Sequence, residues 1–204
     1  MIRLKFGNHK LGDDTAVFNM STAKECPSKK LGLCPLYNGT TKIKYKNGNG
    51  LMCYAEKAEQ LYPTHVPAYR RAQQAYWQDT PAERILQDIA KRVESRWKPT
   101  RYFRYNESGD FHDQSDIGKL SYIAEGLGTL NITTYGYSAR SDLDFSNAKF
   151  LVKGSGNTKG NNGACTVVET NERPPEGYLV CPGDCRKCNL CKIDRGHNIA
   201  FKKH

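Results

Sequence analysis

Four cysteines fall within eleven residues near the carboxyl end of this chain, and they constrain its fold more than any other feature. The segment reads Cys-Pro-Gly-Asp-Cys-Arg-Lys-Cys-Asn-Leu-Cys over residues 181–191. Thiols spaced this closely form disulfides, hold a zinc ion or wrap an iron–sulfur cluster. Each outcome requires a different loop geometry, so the choice among them decides how this end of the chain folds.

The cell compartment bears on the disulfide alternative. The chain of 204 residues has no apolar run of the length, about 18 residues, that a membrane span needs. Its first residues contain no apolar stretch of signal-peptide length. We therefore expect a cytoplasmic protein without a membrane partner. Structural disulfides are rare in a reducing cytosol, where clustered cysteines more often bind metal or carry out redox chemistry.

The spacing of the cluster, C-x3-C-x2-C-x2-C, bears on the choice of metal. Zinc sites usually present their ligands as two separated pairs, and no intervening segment separates two pairs here. Consecutive x2 spacings are typical of the segment by which bacterial ferredoxins bind a cubane cluster. The spacing therefore favours a [4Fe–4S] cluster, with zinc as the alternative and disulfides or free thiols as the third possibility. The predicted ligands are Cys181, Cys185, Cys188 and Cys191.

The other cysteines form a second, looser set. Cys26, Cys34 and Cys53 lie near the amino end, and Cys165 stands alone before the terminal cluster. Cys165 completes the looser set if the thiols divide into two groups of four. The groups mix if a cysteine of one run ligates the other cluster, as in two-cluster ferredoxins. The chain is thus predicted to carry one or two [4Fe–4S] clusters.

The pattern between the cysteine-rich ends predicts an α/β fold in a single domain. A strand is expected over residues 102–105, a helix over 117–127, and further strands over 131–138 and 148–153. This order is typical of a compact parallel sheet or a partial, trimmed (β/α) barrel. We expect residues 1–60 to form a cysteine-containing segment, 61–156 the α/β core, and 157–204 a loop, the cysteine cluster and a basic tail. The two terminal segments together would form a cysteine-rich, metal-binding lobe.

Residues 80–97 carry the clearest helical pattern. Thr80 and Glu83 have the spacing of a capping box, with Pro81 at the first helical position. Apolar residues that recur every four positions predict one buried face, formed by Ile85, Ile89, Val93 and Trp97. A preceding helix is expected over residues 66–78.

A polar loop follows the strand predicted at residues 102–105. Glu107, Asp110 and His112 lie close together in it, and two carboxylates with an imidazole can position a substrate or exchange protons. The carboxyl ends of parallel strands are where ligands bind in such sheets. These three residues are the catalytic candidates. The alternative interpretation is a polar strand-to-helix turn in which Asp113 or Ser115 caps the helix.

The formal net charge of +10 indicates a different class of function, the binding of nucleic acid. Basic surfaces attract nucleic acids and other anionic partners through counterion release. In this alternative a zinc ion or cluster is purely structural, and the cationic side chains contact phosphates. The candidates, besides the basic tail, are Lys42, Lys44, Lys46, Arg70 and Arg71.

An ordered set of short motifs also resembles a known family. The motifs are Leu4-Lys-Phe-Gly-Asn8, Cys26-Pro27, Cys53-Tyr-Ala55, Arg104-Tyr-Asn-Glu-Ser-Gly-Asp-Phe-His112, Tyr135-Gly-Tyr137 and the terminal cysteine cluster. Together they resemble the gene product 88 family of bacteriophage and plasmid proteins, over about residues 4 to 191. The resemblance implies a phage-type iron–sulfur protein, located in the host cytoplasm if a phage encodes it, and it does not supply a reaction.

A more distant resemblance concerns Cys53-Tyr-Ala55 followed by a helix, which is similar to the start of phage proteins related to the radical S-adenosylmethionine fold. This chain departs from those proteins because no C-x3-C-x2-C motif follows a first strand. Its 204 residues are also short for eight strands and eight helices, so the resemblance implies a trimmed barrel. It also implies S-adenosylmethionine as a further possible cofactor. A cluster ligated by three cysteines rather than four would favour that possibility.

Overall fold

The computed structural model describes residues 2–8, 10–35 and 53–202. They form eight strands and five helices. The strands are β1 (Lys5–Phe6), β2 (Thr15–Phe18), β3 (Tyr102–Tyr105), β4 (Thr133–Ser138), β5 (Leu151–Ser155), β6 (Ala164–Val168), β7 (Tyr178–Val180) and β8 (Asn198–Lys202). The helices are α1 (Pro27–Lys30), α2 (Tyr54–Leu61), α3 (His65–Asp79), α4 (Ala82–Glu94) and α5 (Gln114–Thr129).

All eight strands belong to one sheet, in the order β1-β2-β3-β4-β5-β6-β8-β7. β1 pairs antiparallel with β2, and every other pairing is parallel. The predicted α/β class is therefore confirmed as a mixed fold with a mostly parallel sheet. The carboxyl ends of β2, β3 and β4 meet at one edge of the sheet, which we call the rim.

Helices α3, α4 and α5 pack on one face of this sheet. Phe18, Phe103 and Tyr105 project from β2 and β3 into a core that also contains Trp77 of α3 and Leu120 of α5. We call this side the helix face. Each of these aromatic side chains is at most 2% exposed. Because side chains alternate along a strand, the intervening residues of β3, β4 and β5 lie on the opposite face.

Two details of the α4 prediction are wrong. The helix begins at Ala82 with Pro81 as its N-cap, and no side chain caps it, so Thr80 and Glu83 form no capping box. The helix ends at Glu94, and Trp97 lies beyond it with 90% of its surface exposed. Ile85 and Ile89 are buried as expected. The apolar repeat continued past the point where the chain stops being helical.

The division into zones also needs correction. The segment 1–60 was expected to lie outside the α/β core, yet it supplies β2, which pairs with β3 in the middle of the chain. Residues 157–204 supply β6, β7 and β8.

Asp113 caps α5 as expected, since its side chain accepts a hydrogen bond from the Ser115 backbone N–H.

Among the described residues, no helix has both the length and the apolar character needed to cross a membrane.

Candidate functional site

Asp110 joins three segments at the rim: α1 and the loops after β3 and β4. Its Oδ2 accepts hydrogen bonds from Ser28 Oγ at 2.5 Å and from the Ala139 backbone N–H at 2.9 Å. Its Oδ1 accepts from Ser138 Oγ at 2.7 Å and from the Phe111 backbone N–H at 2.9 Å. Burial raises the pKa of this carboxyl, and the four hydrogen bonds oppose that rise. Asp110 therefore connects α1, which follows β2, to the loops after β3 and β4.

The loop after β3 adopts a conformation that few residues tolerate. Asn106 has φ of 50°, and Gly109 has φ of +84°. A Cβ added to Gly109 would lie 2.4 Å from the backbone nitrogen of Ser21, in the loop after β2. Only glycine permits this close approach. The loops after β2 and β3 are thus packed directly against each other.

The remaining rim candidates occupy different environments. His112 Nδ1 lies 3.1 Å from Asp116 Oδ2, and Trp77 Nε1 donates to Asp116 Oδ1 at 2.6 Å. Burial opposes ionisation of Asp116, but the hydrogen bonds from His112 and Trp77 outweigh it and lower its pKa. Glu107 is half-buried and accepts a hydrogen bond from Asn8 Nδ2 at 3.0 Å. His112 is therefore anchored to α5, while Glu107 lies at the surface of the rim.

Cys26, Cys34 and Cys53 come together beside this rim, and we call them the N-terminal thiol group. The pKa of Cys26 rises to about 12, first because of burial and then because Asp110 and the other two thiols lie close. Cys26 and Cys53 directly precede α1 and α2, as their N-caps. The Cys34 backbone N–H donates to the Ser28 carbonyl, which folds the chain back towards Cys26.

Two ion pairs brace the N-terminal thiol group. Lys29 of α1 and Glu56 of α2 pair at 3.1 Å, which joins the two helices that begin beside Cys26 and Cys53. Arg70 of α3 pairs with Glu59 of α2 at 2.7 Å. Arg70 is only 4% exposed, and its guanidinium is paired inside the protein. The prediction that Arg70 contacts phosphate is therefore corrected. Arg71 is exposed, whereas Lys42, Lys44 and Lys46 lie outside the described residues.

Cys181, Cys185, Cys188 and Cys191, which we call the terminal thiol group, line one cavity of about 20 Å³. A cavity of that size has room for about one water molecule. No helix or strand occurs between β7 and β8 in the described structure, so the segment that carries these thiols is a loop held by few backbone hydrogen bonds. Burial raises the pKa of Cys185 and Cys191.

The loop lies over the sheet face opposite the helices, which we call the loop face. Arg104 is in register with Tyr135, and Tyr137 with Lys153, so these four side chains share that face. Tyr135 and Tyr137 line the cavity of the terminal thiol group. Tyr137 also hydrogen-bonds the Cys191 thiol, whose pKa is raised by burial and lowered by that bond and by the nearby Lys153. The terminal thiols therefore face hydrogen-bond donors and cations.

Two buried polar atoms of the loop face have no hydrogen-bond partner among the described residues. They are the Tyr135 hydroxyl and Arg104 Nε. Tyr135 is 2% exposed. A buried donor without an acceptor costs about 1 to 3 kcal/mol, so such atoms usually mark the place of an additional acceptor. Both residues occur in the motifs of the family resemblance, but only the pairing of β3 with β4 places them side by side.

Cys165 belongs spatially to the terminal group. Burial raises its pKa to about 12, and Cys191 and Lys153 are among its neighbours. The structure therefore gives the N-terminal group three thiols, and does not bring Cys165 to them. The predicted single lobe, built from both terminal segments, is not confirmed. All eight cysteines are described, and none of them forms a disulfide.

The described side chains are not arranged as a metal site. Within residues 2–8, 10–35 and 53–202, no group of three or more histidine, cysteine, aspartate or glutamate side chains is arranged to hold a metal ion. The thiols are grouped, but they are not arranged around the position of a single ion. Binding of metal at either group therefore requires the thiols to move.

A comparison with protein families matches residues 3–141 to gene product 88. The matched range includes the rim and all of the N-terminal thiol group. The chain belongs to the gene product 88 family. Searches of curated proteins and of solved structures found no match. The resemblance to gene product 88 is thus confirmed as membership of a phage gene product family, whereas the resemblance to radical S-adenosylmethionine proteins stays a prediction.

Proposed function

We propose that this gene product 88 protein is an iron–sulfur protein whose terminal thiol group binds a [4Fe–4S] cluster. The observation that carries the proposal is that four thiols in ferredoxin-like spacing line one cavity over buried donors and cations. The N-terminal thiol group is the proposed place of a second cluster. The function that follows is redox chemistry, or binding of a small molecule at the rim with the second cluster's support.

The loop face fits a cluster better than it fits free thiols. A cubane with four cysteinate ligands is anionic and presents sulfur acceptors, and its potential depends on charge and hydrogen bonds to sulfur. The unpartnered Tyr135 hydroxyl and Arg104 Nε would supply such hydrogen bonds. Lys153 adds a buried positive charge at 1% exposure. These groups would stabilise bound anionic sulfur, whereas protonated thiols leave two buried donors unsatisfied.

The cavity in its described form is too small for a cubane, so ligation would require the loop to open. Such a movement costs little regular structure, because the loop contains no helix or strand. Ligation contributes folding free energy where a site forms only with its metal. We therefore expect the cluster to order this loop, and the loss of a ligand to release it.

Anaerobic purification followed by iron, sulfide and zinc analysis tests the proposal. The wild-type protein should be brown and contain equal iron and sulfide, about eight of each per chain if both groups carry cubanes. Replacement of a terminal ligand, Cys188→Ser, should remove about four irons. Colourless protein that contains zinc would overturn the proposal and favour the structural-metal alternative.

Cys165→Ser is the matched control, because Cys165 lies beside Cys191 but outside the ferredoxin-like spacing. This variant should keep the wild-type iron content. Equal iron loss in both variants would mean that the serine substitutions disturb the loop in general. Circular dichroism of each variant shows whether the sheet is retained.

A further inference from the structure

The segment between α4 and β3 holds a large aromatic side chain in water. Trp97 is 90% exposed, although tryptophan is among the side chains that gain most from burial. Residues 91–101 also contain one acidic residue, Glu94, and five basic residues. The basic residues are Lys91, Arg92, Arg96, Lys98 and Arg101. An exposed indole among cations is typical of surfaces that bind single-stranded nucleic acid, because bases stack on the ring and phosphates contact the cations.

Hydrogen bonds and a ring contact hold this segment against the chain before β2. Arg96 Nη2 donates to the Asp13 carbonyl at 2.8 Å, and the Arg96 guanidinium lies 3.6 Å from the centre of the Phe6 ring. The Arg101 backbone N–H donates to the Asp14 carbonyl at 2.8 Å. The exposed indole is therefore presented by a segment that is fixed on both sides of it. Stacking of a base on such a segment costs little ordering of the protein.

The residues that follow Trp97 line an open cleft of about 380 Å³. Lys98 and Arg101 contribute to it, together with Arg186 from the loop of the terminal thiol group. All three residues are exposed. The Lys98 ammonium lies 5.9 Å from the centre of the Trp97 ring, within the range of a cation–π contact. A base stacked on the indole would therefore bring its phosphate to this ammonium.

Carboxylates also lie in and beside the cleft. Asp13 and Asp14 line it. Asp13 pairs with Lys98 at 2.7 Å, and Asp184 pairs with Arg186 at 2.8 Å. Exposed pairs of this kind are weak, and an ammonium or a guanidinium has further N–H donors. A phosphate is therefore able to join these pairs or to displace the carboxylates.

The surface around the cleft keeps a net positive charge. Residues 10–14, 91–101 and 184–187 form or flank it, and together they contain eight basic and four acidic residues. Such an excess attracts the phosphates of a nucleic acid and releases their counterions. The charge of this surface thus fits a polyanion that supplies several phosphates at once.

The exposed indole favours a single strand over a duplex or a bilayer. In a duplex each base is stacked on its neighbours, whereas the bases of a single strand have faces that stack on aromatic rings. Binding at a bilayer surface requires a broad apolar face. Trp97 has Arg96 and Lys98 as its chain neighbours, so it offers a single ring rather than such a face.

We propose that residues 96–101 and the cleft beside them bind single-stranded nucleic acid, with a base stacked on Trp97 and phosphates on Lys98, Arg101 and Arg186. None of these four residues is among the basic residues that the sequence predicted to contact phosphate. The surface lies at the amino ends of β2 and β3, at the edge of the sheet opposite the rim. The proposal goes beyond the proposed function and requires no cluster.

Fluorescence anisotropy of labelled oligonucleotides, with the full chain purified anaerobically, tests the class of partner. The probes are oligouridylate, oligodeoxyuridylate and the duplex of the latter with oligodeoxyadenylate, each of about 12 nucleotides, a length within the range of single-strand sites. We expect at least one single strand to bind about tenfold more tightly than the duplex, and the tighter strand identifies the partner as RNA or DNA. Duplex binding as tight as that of both strands would overturn the proposal. Binding to phosphatidylserine vesicles without binding of either strand would overturn it as well.

Trp97→Ala should weaken single-strand binding about tenfold and leave duplex binding unchanged, because the stacked base loses its ring. Trp97→Phe keeps a ring and should retain most of the affinity. Tyr122→Ala is the matched control, since Tyr122 is an aromatic residue of α5 that is 45% exposed. It should bind like the wild type. Unchanged single-strand binding in Trp97→Ala would overturn the stacking role.

The salt dependence of binding tests the cleft. Arg101→Gln should reduce the slope of log affinity against log salt concentration by about 0.7, the contribution of one phosphate contact in a single strand. Arg71→Gln is the matched control, because Arg71 is exposed on α3 and does not line the cleft. Its slope should match that of the wild type. An equal fall in both variants would show that the overall charge, and not this cleft, attracts the strand, and would overturn the proposed site.

Discussion

The two thiol groups differ in what surrounds them. The terminal group lies on a loop over a face that offers a tyrosine hydroxyl, a guanidinium and an ammonium group. The N-terminal group is held by two helices and two ion pairs, beside a rim of buried acceptors. Donors and cations suit a cluster that is fully ligated and accepts electrons. The carboxyl group of Asp110 beside Cys26, by contrast, disfavours added negative charge at the N-terminal group.

The groups also differ in how firmly they are held. Around the N-terminal group, Asp110 connects α1 with the loops after β3 and β4 through four hydrogen bonds. Around the terminal group, Lys192 Nζ donates to the Cys185 carbonyl at 2.8 Å, and the Cys185 N–H donates to the Lys10 carbonyl at 3.0 Å. The N-terminal group is therefore expected to keep its structure without metal better than the terminal group does.

The largest expected effect concerns Asp110, beside the N-terminal thiol group. An asparagine at position 110 cannot make the same hydrogen bonds as the carboxylate. Both carboxylate oxygens accept from backbone N–H groups, and in Asp110→Asn the amide nitrogen would face one of these donors. We expect the free energy of unfolding to fall by about 2 to 3 kcal/mol. The variant should also lose the iron of the N-terminal group while it keeps that of the terminal group. Urea unfolding and iron analysis measure the two effects.

Asp13→Asn is the control for that prediction. Asp13 lies just before β2 and pairs with Lys98 at 2.7 Å, and both side chains are exposed, Asp13 at 63% and Lys98 at 47%. An exposed pair of this kind contributes about 1 kcal/mol or less. If Asp13→Asn destabilised the protein as much as Asp110→Asn, the special position of Asp110 between α1 and the loops after β3 and β4 would be refuted.

A smaller effect concerns the anchoring of His112 on the rim. The pKa of Asp116 is lowered, because the hydrogen bonds from His112 and Trp77 outweigh its burial. A lowered acid pKa stabilises the fold at pH values above the unfolded pKa, about 3.9, and that stability is lost as the pH falls through the folded pKa. Asp116→Asn should therefore be less stable than wild type at pH 7, with a difference that shrinks below about pH 4. Urea unfolding at matched pH values measures it, and a difference independent of pH would exclude the ionised carboxylate as its source.

The smallest expected effect concerns the Tyr135 hydroxyl, beside the terminal thiol group. Tyr135→Phe removes the unpartnered hydroxyl and should make the reduction potential of the terminal cluster more negative, because a hydrogen bond to sulfur stabilises the reduced form. The potential of the N-terminal cluster should not change. Tyr102→Phe is the control, since the Tyr102 hydroxyl lies 3.5 Å from Asn189 in an exposed contact. A redox titration followed by electron paramagnetic resonance measures both clusters, and identical potentials in wild type and Tyr135→Phe would contradict the donor role.

Local sequence spacing predicted the terminal thiol group, because its four cysteines occur within one short loop. The rim was also predictable, since Glu107, Asp110 and His112 directly follow β3. Arg104, Tyr135 and Lys153 were not, because they share a face only once β3, β4 and β5 pair. Cys165 likewise joins Cys191 only because β6 pairs with β8.

The central claim is that the chain holds two independent clusters, and iron counts in a cysteine series test it most directly. Wild type, Cys53→Ser, Cys188→Ser and the double variant are loaded and purified under identical anaerobic conditions. The account predicts about eight, four, four and zero irons per chain. Loss of all iron in either single variant would contradict it, because the two thiol groups would then form one centre.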